Sequence, residues 1–185
     1  MSVRLLVFGR QGAGKGTQCV KLAEHYDAPH ISTGDMLRQA AAAGTPVGLQ
    51  AKAYIDAGKL LPDEIMLEVV EERFAQPDVV EHGFLLDGFP RTLVQAEALV
   101  ALADIDAAVN IDVPEAVVLE RMIGRGRTDD TPEGIANRLA IYQSETVPVI
   151  EWFEAKGLLA SVDGLGTPDE VTARLIEAID GRLGR

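Results

Sequence analysis

The sequence contains a single cysteine, Cys19, among its 185 residues. No intramolecular disulfide can therefore form, and a zinc site built from cysteines is excluded. Because Cys19 falls within a helical pattern, we expect a buried thiol. Such scarcity of cysteine is compatible with a reducing compartment, so we expect a cytoplasmic location.

Positive charge is also scarce. The chain has 17 lysine and arginine residues against 29 aspartate and glutamate residues, and its formal net charge is −12. An acidic chain is not attracted nonspecifically to nucleic acid or to an anionic membrane surface, so neither is an expected partner. We also see no apolar stretch long enough for a signal peptide or a membrane-spanning helix. Any polyanionic ligand must therefore be bound by a local cluster of cationic groups.

The chain has no evident internal repeat or low-complexity segment, and its length fits one domain. Short apolar runs alternate with longer helical patterns, which predicts an α/β fold with a parallel sheet and helices on both faces. The predicted strands cover residues 5–8, 30–31, 84–86, 107–111 and 158–162.

Residues 9–17 read GRQGAGKGT and stand between a predicted strand and a helical pattern, which is the setting of a phosphate-binding loop. Glycines let successive backbone N–H groups point at an anion, the following helix adds the positive end of its dipole, and Lys15 supplies a mobile cation. The pattern predicts binding of a nucleoside triphosphate. Gly16 stands where a metal-binding serine or threonine is usual, and the hydroxyl follows one residue later at Thr17.

Two further segments place polar side chains where predicted strands end. Residues 84–87 form an apolar run that ends in Asp87, a pattern that holds magnesium beside a triphosphate, directly or through water. Gly88 then allows close approach of a ligand, and Arg91 is suited to bidentate binding of phosphate. Residues 31–38 read ISTGDMLR and present a hydroxyl and Arg38 at the edge where such sheets bind ligands.

Taken together, the segments GAGKGTQ, ISTGDMLR and LLDGFPRT resemble those of the adenylate kinases, a family of nucleoside monophosphate kinases, over essentially the whole chain. The resemblance implies a three-layer phosphate-loop kinase fold around a five-stranded parallel sheet. It implies reversible phosphoryl transfer between ATP and AMP to give two ADP, which serves adenine nucleotide homeostasis. A monomer that uses Mg²⁺ with ATP is also implied, with Asp87 holding the ion through water.

The resemblance also assigns roles to individual residues. Those implied to bind ATP are Gly12, Ala13, Gly14, Lys15, Gly16, Thr17, Arg125 and Gly166. Those implied to bind AMP are Thr33, Arg38, Lys59, Leu60, Leu61, Gly88, Phe89, Pro90, Arg91, Gln95, Arg127 and Arg138. Those implied to act in catalysis are Lys15, Asp87, Arg91, Arg127 and Arg138. No protein nucleophile is needed, because the AMP phosphate itself attacks, so we expect the three histidines to be packing or surface residues.

The implied division is a core of residues 1–31, 62–123 and 133–185, an AMP-binding arm of residues 32–61, and a lid of residues 124–132. The lid carries Arg125 and Arg127 between glycines, although the loop by itself fits a solvated helix connection equally well. The lid is short, whereas longer family members insert a small β-domain that in some of them contains a zinc site. We therefore expect no structural zinc in this chain. Gln11 stands where the family often has proline. The replacement loosens one backbone dihedral angle, but the backbone N–H groups of the loop can still surround a phosphate.

Two other functions stay open on the sequence. A UMP/CMP kinase shares the loop and the DGFPR segment but usually has alanine where Thr33 stands, and Gln95 can pair with an adenine edge. A regulator that binds ATP as a switch has no use for a second phosphate site at Arg38 and Arg91.

Overall fold

The computed structural model describes residues 2–126 and 130–185, with the backbone alone for Arg125. The strands are β1 (Val3–Gly9), β2 (His30–Ser32), β3 (Gly83–Asp87), β4 (Ala107–Asp112) and β5 (Leu159–Asp163). The helices are α1 (Lys15–Tyr26), α2 (Thr33–Ala42), α3 (Pro46–Asp56), α4 (Asp63–Phe74), α5 (Pro77–His82), α6 (Leu93–Leu102), α7 (Glu115–Arg125), α8 (Pro132–Ile141), α9 (Val147–Ala155) and α10 (Pro168–Leu183). None of these helices combines the length and the apolar composition needed to cross a membrane.

All five strands run parallel in one sheet, in the order β2-β3-β1-β4-β5. Successive residues of β1 alternate between two apolar clusters, with Leu6 and Phe8 in one and Leu5 and Val7 in the other. This alternation arises because side chains of a strand point to opposite faces and helices cover both. The predicted α/β fold is confirmed, and each predicted strand overlaps an observed one.

Strand β1 lies in the middle of the sheet, and the chain crosses from one side of β1 to the other between β3 and β4. In open parallel sheets, ligands bind at the carboxyl ends of the strands. They bind at the point where the connection from one strand goes to one side of the sheet and the connection from its neighbour goes to the other side. Cys19, on the helix that follows β1, is fully buried, as expected.

Between β2 and β3 the chain forms four helices. Helices α2 and α3 pack closely because Gly48 has no side chain: a Cβ there would lie 2.0 Å from the backbone carbon of Ala40. The end of α3 is joined to α8, since Asn137 Nδ2 donates a hydrogen bond to Ala57 O at 3.1 Å. Helix α4 packs instead against α6, and α5 against β3.

A π-helical segment, Tyr142–Thr146, connects α8 to α9 without a break. The N–H of Val147 donates to the carbonyl of Tyr142, five residues earlier. The next residue is Pro148, which has no N–H to donate and whose ring would clash with the carbonyl four residues earlier in a regular α-helix. The wider turn accommodates the proline at the beginning of α9.

Candidate active site

The phosphate-binding loop connects β1 to α1 in a conformation that requires glycine. Gly12 and Gly14 have φ values of 87° and 99°, and a Cβ on Gly12 would lie 2.7 Å from the carbonyl oxygen of Val118. Lys15 Nζ folds back over the loop and donates to Gly9 O at 2.8 Å and to Arg10 O at 3.2 Å. Among the described residues, no side chain caps the beginning of α1, and no acidic residue lies in its first turn, so its positive end is available to an anion.

A cleft of about 520 Å³ opens at the carboxyl edge of the sheet. The predicted site residues that line this cleft are Gly12, Gly14, Lys15, Gly16, Thr17, Thr33, Arg38, Lys59, Leu60, Leu61, Asp87, Gly88, Arg91, Gln95 and Arg138. Segments that are far apart along the chain are therefore brought to one site.

Other predicted residues do not line the cleft. Ala13 is buried within the phosphate loop, and Phe89 and Pro90 border a smaller cavity beside Arg91. Gly166 lies between β5 and α10 and has a φ of 112°. Arg127 and the side chain of Arg125 lie outside the described residues.

Three arginines bring their positive charges together in the cleft. Burial lowers the pKa of Arg91, the charges of Arg38 and Arg138 lower this pKa further, and Asp87 opposes the shift. Arg91 Nε donates to Gly88 O at 2.6 Å, while Arg138 is 9% exposed and pairs with Asp130 at 2.6 Å. Guanidinium groups that share one cleft repel one another, and a bound phosphate anion relieves that repulsion.

Asp87 stands at the end of β3 and is 8% exposed. Burial by itself would raise the pKa of this carboxyl, but the neighbouring His30 and the charges of Lys15 and Arg91 outweigh it, so the pKa lies below its usual value. The Asp87 side chain is therefore an ionised carboxylate beside the phosphate loop. Together with the Thr17 hydroxyl, which also lines the cleft, it fits the oxygen ligands that Mg²⁺ prefers.

A second set of potential metal ligands shares this carboxylate. Ligand atoms of Cys19, His30 and Asp87 lie within 4.8 Å of one another, and His30 Nε2 is 3.8 Å from Asp87 Oδ2. Burial raises the pKa of the Cys19 thiol well above its usual value. In the absence of a metal ion the thiol is therefore protonated at neutral pH, and a metal ion bound there would have to displace that proton.

At the end of the cleft that contains Gln95, the lining includes uncharged polar groups that are closely paired. Gln95 is 1% exposed; its Nε2 donates to Asp63 Oδ1 at 2.7 Å, and its Oε1 accepts from the backbone N–H of Arg91 at 2.8 Å. Thr33 is also buried, and its hydroxyl lies 3.4 Å from the carbonyl oxygen of Asp87. Such groups can distinguish ligands by hydrogen-bond pattern rather than by charge.

Arg121, which was not predicted from the sequence, lines the cleft and donates to the carbonyl oxygen of Ala13 at 3.3 Å. Its position four residues before Arg125 in the sequence is a signal that could have identified it. Asp63 was also missed, and its hydrogen-bond partner Gln95 lies 32 residues away along the chain. No local pattern reveals that pairing.

A phosphate loop at the middle of a parallel sheet, facing a second cluster of arginines, defines a nucleotide kinase of the phosphate-loop class. The family described as adenylate kinase matches residues 7–158. A protein named adenylate kinase from Stenotrophomonas maltophilia (strain K279a) is 47% identical over 186 residues, covering 96% of this chain and 99% of that protein. A protein of the same name from Leptospira biflexa serovar Patoc (strain Patoc 1 / Ames) is 43% identical, covering 95% of this chain and 99% of that protein. Another from Xanthomonas campestris pv. campestris (strain 8004) is 46% identical, covering 96% of this chain and 99% of that protein. The chain therefore belongs to the adenylate kinase family.

Family membership confirms the predicted enzyme class and reaction. The chain is a phosphotransferase that converts ATP and AMP to two molecules of ADP, reversibly. ATP, AMP and ADP are accordingly its substrates, and the family uses Mg²⁺ with ATP.

Proposed function

We propose that the cleft binds ATP at the phosphate loop and AMP at Arg38, Arg91 and Gln95, so that the phosphoryl group passes directly between the two nucleotides. The observation that carries this proposal is the convergence of Lys15 with Arg38, Arg91 and Arg138 in one cleft of an otherwise acidic protein. One phosphate chain does not need so many cations, whereas two polyanions held together do.

On the ATP side, the loop from Gly12 to Thr17 surrounds the phosphates with backbone N–H groups, and the uncapped beginning of α1 adds the positive end of the helix dipole. Lys15 Nζ, which donates to loop carbonyls here, exchanges those partners for outer phosphate oxygens. In these roles Ala13 and Gly16 contribute backbone alone, whereas Arg125 contributes side-chain charge and Gly166 lies at the adenine of ATP.

On the AMP side, Arg38 and Arg91 bind the monophosphate, with Gly88 allowing close approach. The base lies between Thr33, the segment Lys59 to Leu61, and Gln95. Support comes from the burial of Thr33, Leu61 and Gln95 in the same cleft. Phe89 and Pro90 shape the turn that presents Arg91, whose Nε is held by Gly88 O.

Transfer requires the attacking AMP oxygen and the ATP phosphoryl group to be held in line while water is excluded. No protein nucleophile takes part. Lys15, Arg91, Arg127 and Arg138 stabilise the charge that develops on the transferring group. Bound Mg²⁺ supplies further neutralisation of phosphate charge, and Asp87 would hold that ion through water.

We further propose the division into a core of residues 1–31, 62–123 and 133–185, an arm of residues 32–61 and a lid of residues 124–132. The close packing of α2 against α3 supports treating the arm as one unit. The chain is proposed to act as a cytoplasmic monomer without structural zinc, and without nucleic-acid or membrane partners.

The test is a coupled assay of the purified protein with Mg²⁺ and saturating ATP against AMP, UMP, CMP and dTMP. We expect AMP to be preferred by at least about a hundredfold in kcat/KM, because a wrong base leaves buried polar groups unpaired. Comparable use of UMP or CMP would identify a pyrimidine nucleotide kinase instead. Tight ATP binding with negligible transfer to any monophosphate would indicate a regulatory switch.

A further inference from the structure

Asp63 holds the Gln95 side chain from outside the cleft. Asp63 is the first residue of α4 and does not line the cleft, whereas Gln95 does. The Asp63 carboxylate accepts hydrogen bonds from Gln95 Nε2 at 2.7 Å and from the Thr92 hydroxyl at 3.1 Å. Thr92 also caps α6 by accepting from the backbone N–H of Gln95 at 3.2 Å.

These contacts determine which way the Gln95 amide faces. An ionised carboxylate can only accept hydrogen bonds, so Asp63 requires the amide nitrogen on its side. The backbone N–H of Arg91 can only donate, so it requires the amide oxygen on the other side. A flipped amide would place oxygen against carboxylate and N–H against N–H, and both contacts would be repulsive.

With the amide held in this orientation, each end of Gln95 retains capacity for one further hydrogen bond. The nitrogen has a second N–H, and the oxygen has a second lone pair, neither of which is used by the described residues. Adenine presents an acceptor at N1 beside a donor at its 6-amino group. A 6-oxopurine presents the opposite pattern, a donor at N1 beside an acceptor at O6, and pairs with the flipped amide.

We propose that Asp63 is a positioning residue that makes the enzyme selective for 6-amino over 6-oxo purine monophosphates, by fixing the orientation of the Gln95 amide. The inference rests on the proposed role of Gln95 at the base of AMP. Asp63 acts through Gln95 and touches neither nucleotide.

The test compares AMP with IMP as acceptor, each at saturating Mg²⁺ and ATP. In Asp63→Asn, the new side-chain amide can present either oxygen or nitrogen to Gln95, so the charge-assisted bond and the strict orientation are both lost. We expect the ratio of kcat/KM for AMP to that for IMP to fall about tenfold, with the KM for ATP within about twofold of the parent. In Asp63→Ser, the serine side chain is too short to reach Gln95 Nε2, so this variant should also lower the ratio of kcat/KM for AMP to that for IMP.

Two controls separate this effect from a change in the fold. Glu64→Gln removes the adjacent exposed carboxylate in the same first turn of α4, so it reproduces any loss of helix-dipole stabilisation and should leave the ratio unchanged. In a Gln95→Leu background, Asp63→Asn should have no further effect on the ratio, because the residue through which it acts is gone.

A folded Asp63→Asn or Asp63→Ser protein with an unchanged AMP to IMP ratio would overturn the inference, as would an equal fall in the Gln95→Leu background. Failure of the proposed function has a different signature. In that case, Gln95→Leu itself would leave the kcat/KM for AMP unchanged.

Discussion

The two ends of the cleft are built from different kinds of group. At the phosphate end, glycine backbone and the cationic side chains of Lys15, Arg38 and Arg91 converge on one site. At the other end, the Gln95 amide is held by hydrogen bonds from two sides and is almost entirely buried. Charge attracts any phosphate, whereas an oriented amide distinguishes one base from another. Turnover and substrate choice should therefore respond to different substitutions.

The largest expected effect is at the phosphate end. Lys15→Met should fold normally and lose about a hundredfold or more in kcat, because a preorganised charge at the transferring group is removed. Lys21→Met is the matched control: Lys21 is on the same helix, and its pair with Asp169 at 2.8 Å lies on the surface. Steady-state kinetics would contradict the assignment of the loop if Lys15→Met kept near-normal turnover.

Gln95→Leu should act on substrate choice instead. We expect kcat/KM for AMP to fall roughly a hundredfold while the KM for ATP changes by less than about twofold, since polar groups of adenine lose their partners. Gln18→Leu is the control, because Gln18 is also a buried glutamine, 4% exposed, but its amide bonds Pro168 and Thr172 on α10. If Gln95→Leu changed kcat/KM for AMP and the KM for ATP by similar factors, the two ends of the cleft would not have separate functions.

A smaller effect should appear in the pH dependence of stability. Because the pKa of Asp87 is lowered in the folded state, its carboxylate stabilises the fold above the ordinary aspartate pKa of about 3.9, and this contribution is lost as the pH falls through the lower folded value. The free energy of unfolding of Asp87→Asn should therefore lie below that of the parent at pH 7, and the difference should shrink as the pH falls below about 3.9. Urea unfolding at several pH values measures this. Gln18→Leu removes no titratable group, so its difference in free energy of unfolding from the parent should not depend on pH in this way. If the difference for Asp87→Asn grew on acidification, the pKa of Asp87 would be raised in the folded state rather than lowered.

Removal of zinc should have no effect. With one cysteine, and with three potential ligands gathered at Cys19, His30 and Asp87 among the described residues, we expect no closed four-ligand site. Treatment with a zinc-selective chelator, followed by restoration of Mg²⁺, should leave the melting temperature and the activity unchanged. Stoichiometric zinc found by elemental analysis would contradict this expectation.

The two ends also differ in how far the sequence could predict them. The phosphate loop is formed by consecutive residues, so its glycines, Lys15 and the following helix are readable as one motif. The strands were equally predictable, because a parallel strand covered on both faces is a short apolar run. The strand order and the pairing of Asp63 with Gln95 were not, since both depend on which distant segments meet after folding.

The π-helical segment also affects which side chains reach the cleft. Arg138, Tyr142 and Thr146 all line the cleft and are spaced four residues apart. In a regular α-helix, each step of four residues overshoots a full turn by about 40°, so three such residues would progressively wind away from a common direction. The wider turn between Tyr142 and Thr146 takes back part of that rotation. The π-helical turn therefore keeps Arg138, Tyr142 and Thr146 directed towards the cleft. The α-helix that follows, α9, buries Val149 and Phe153 in the core.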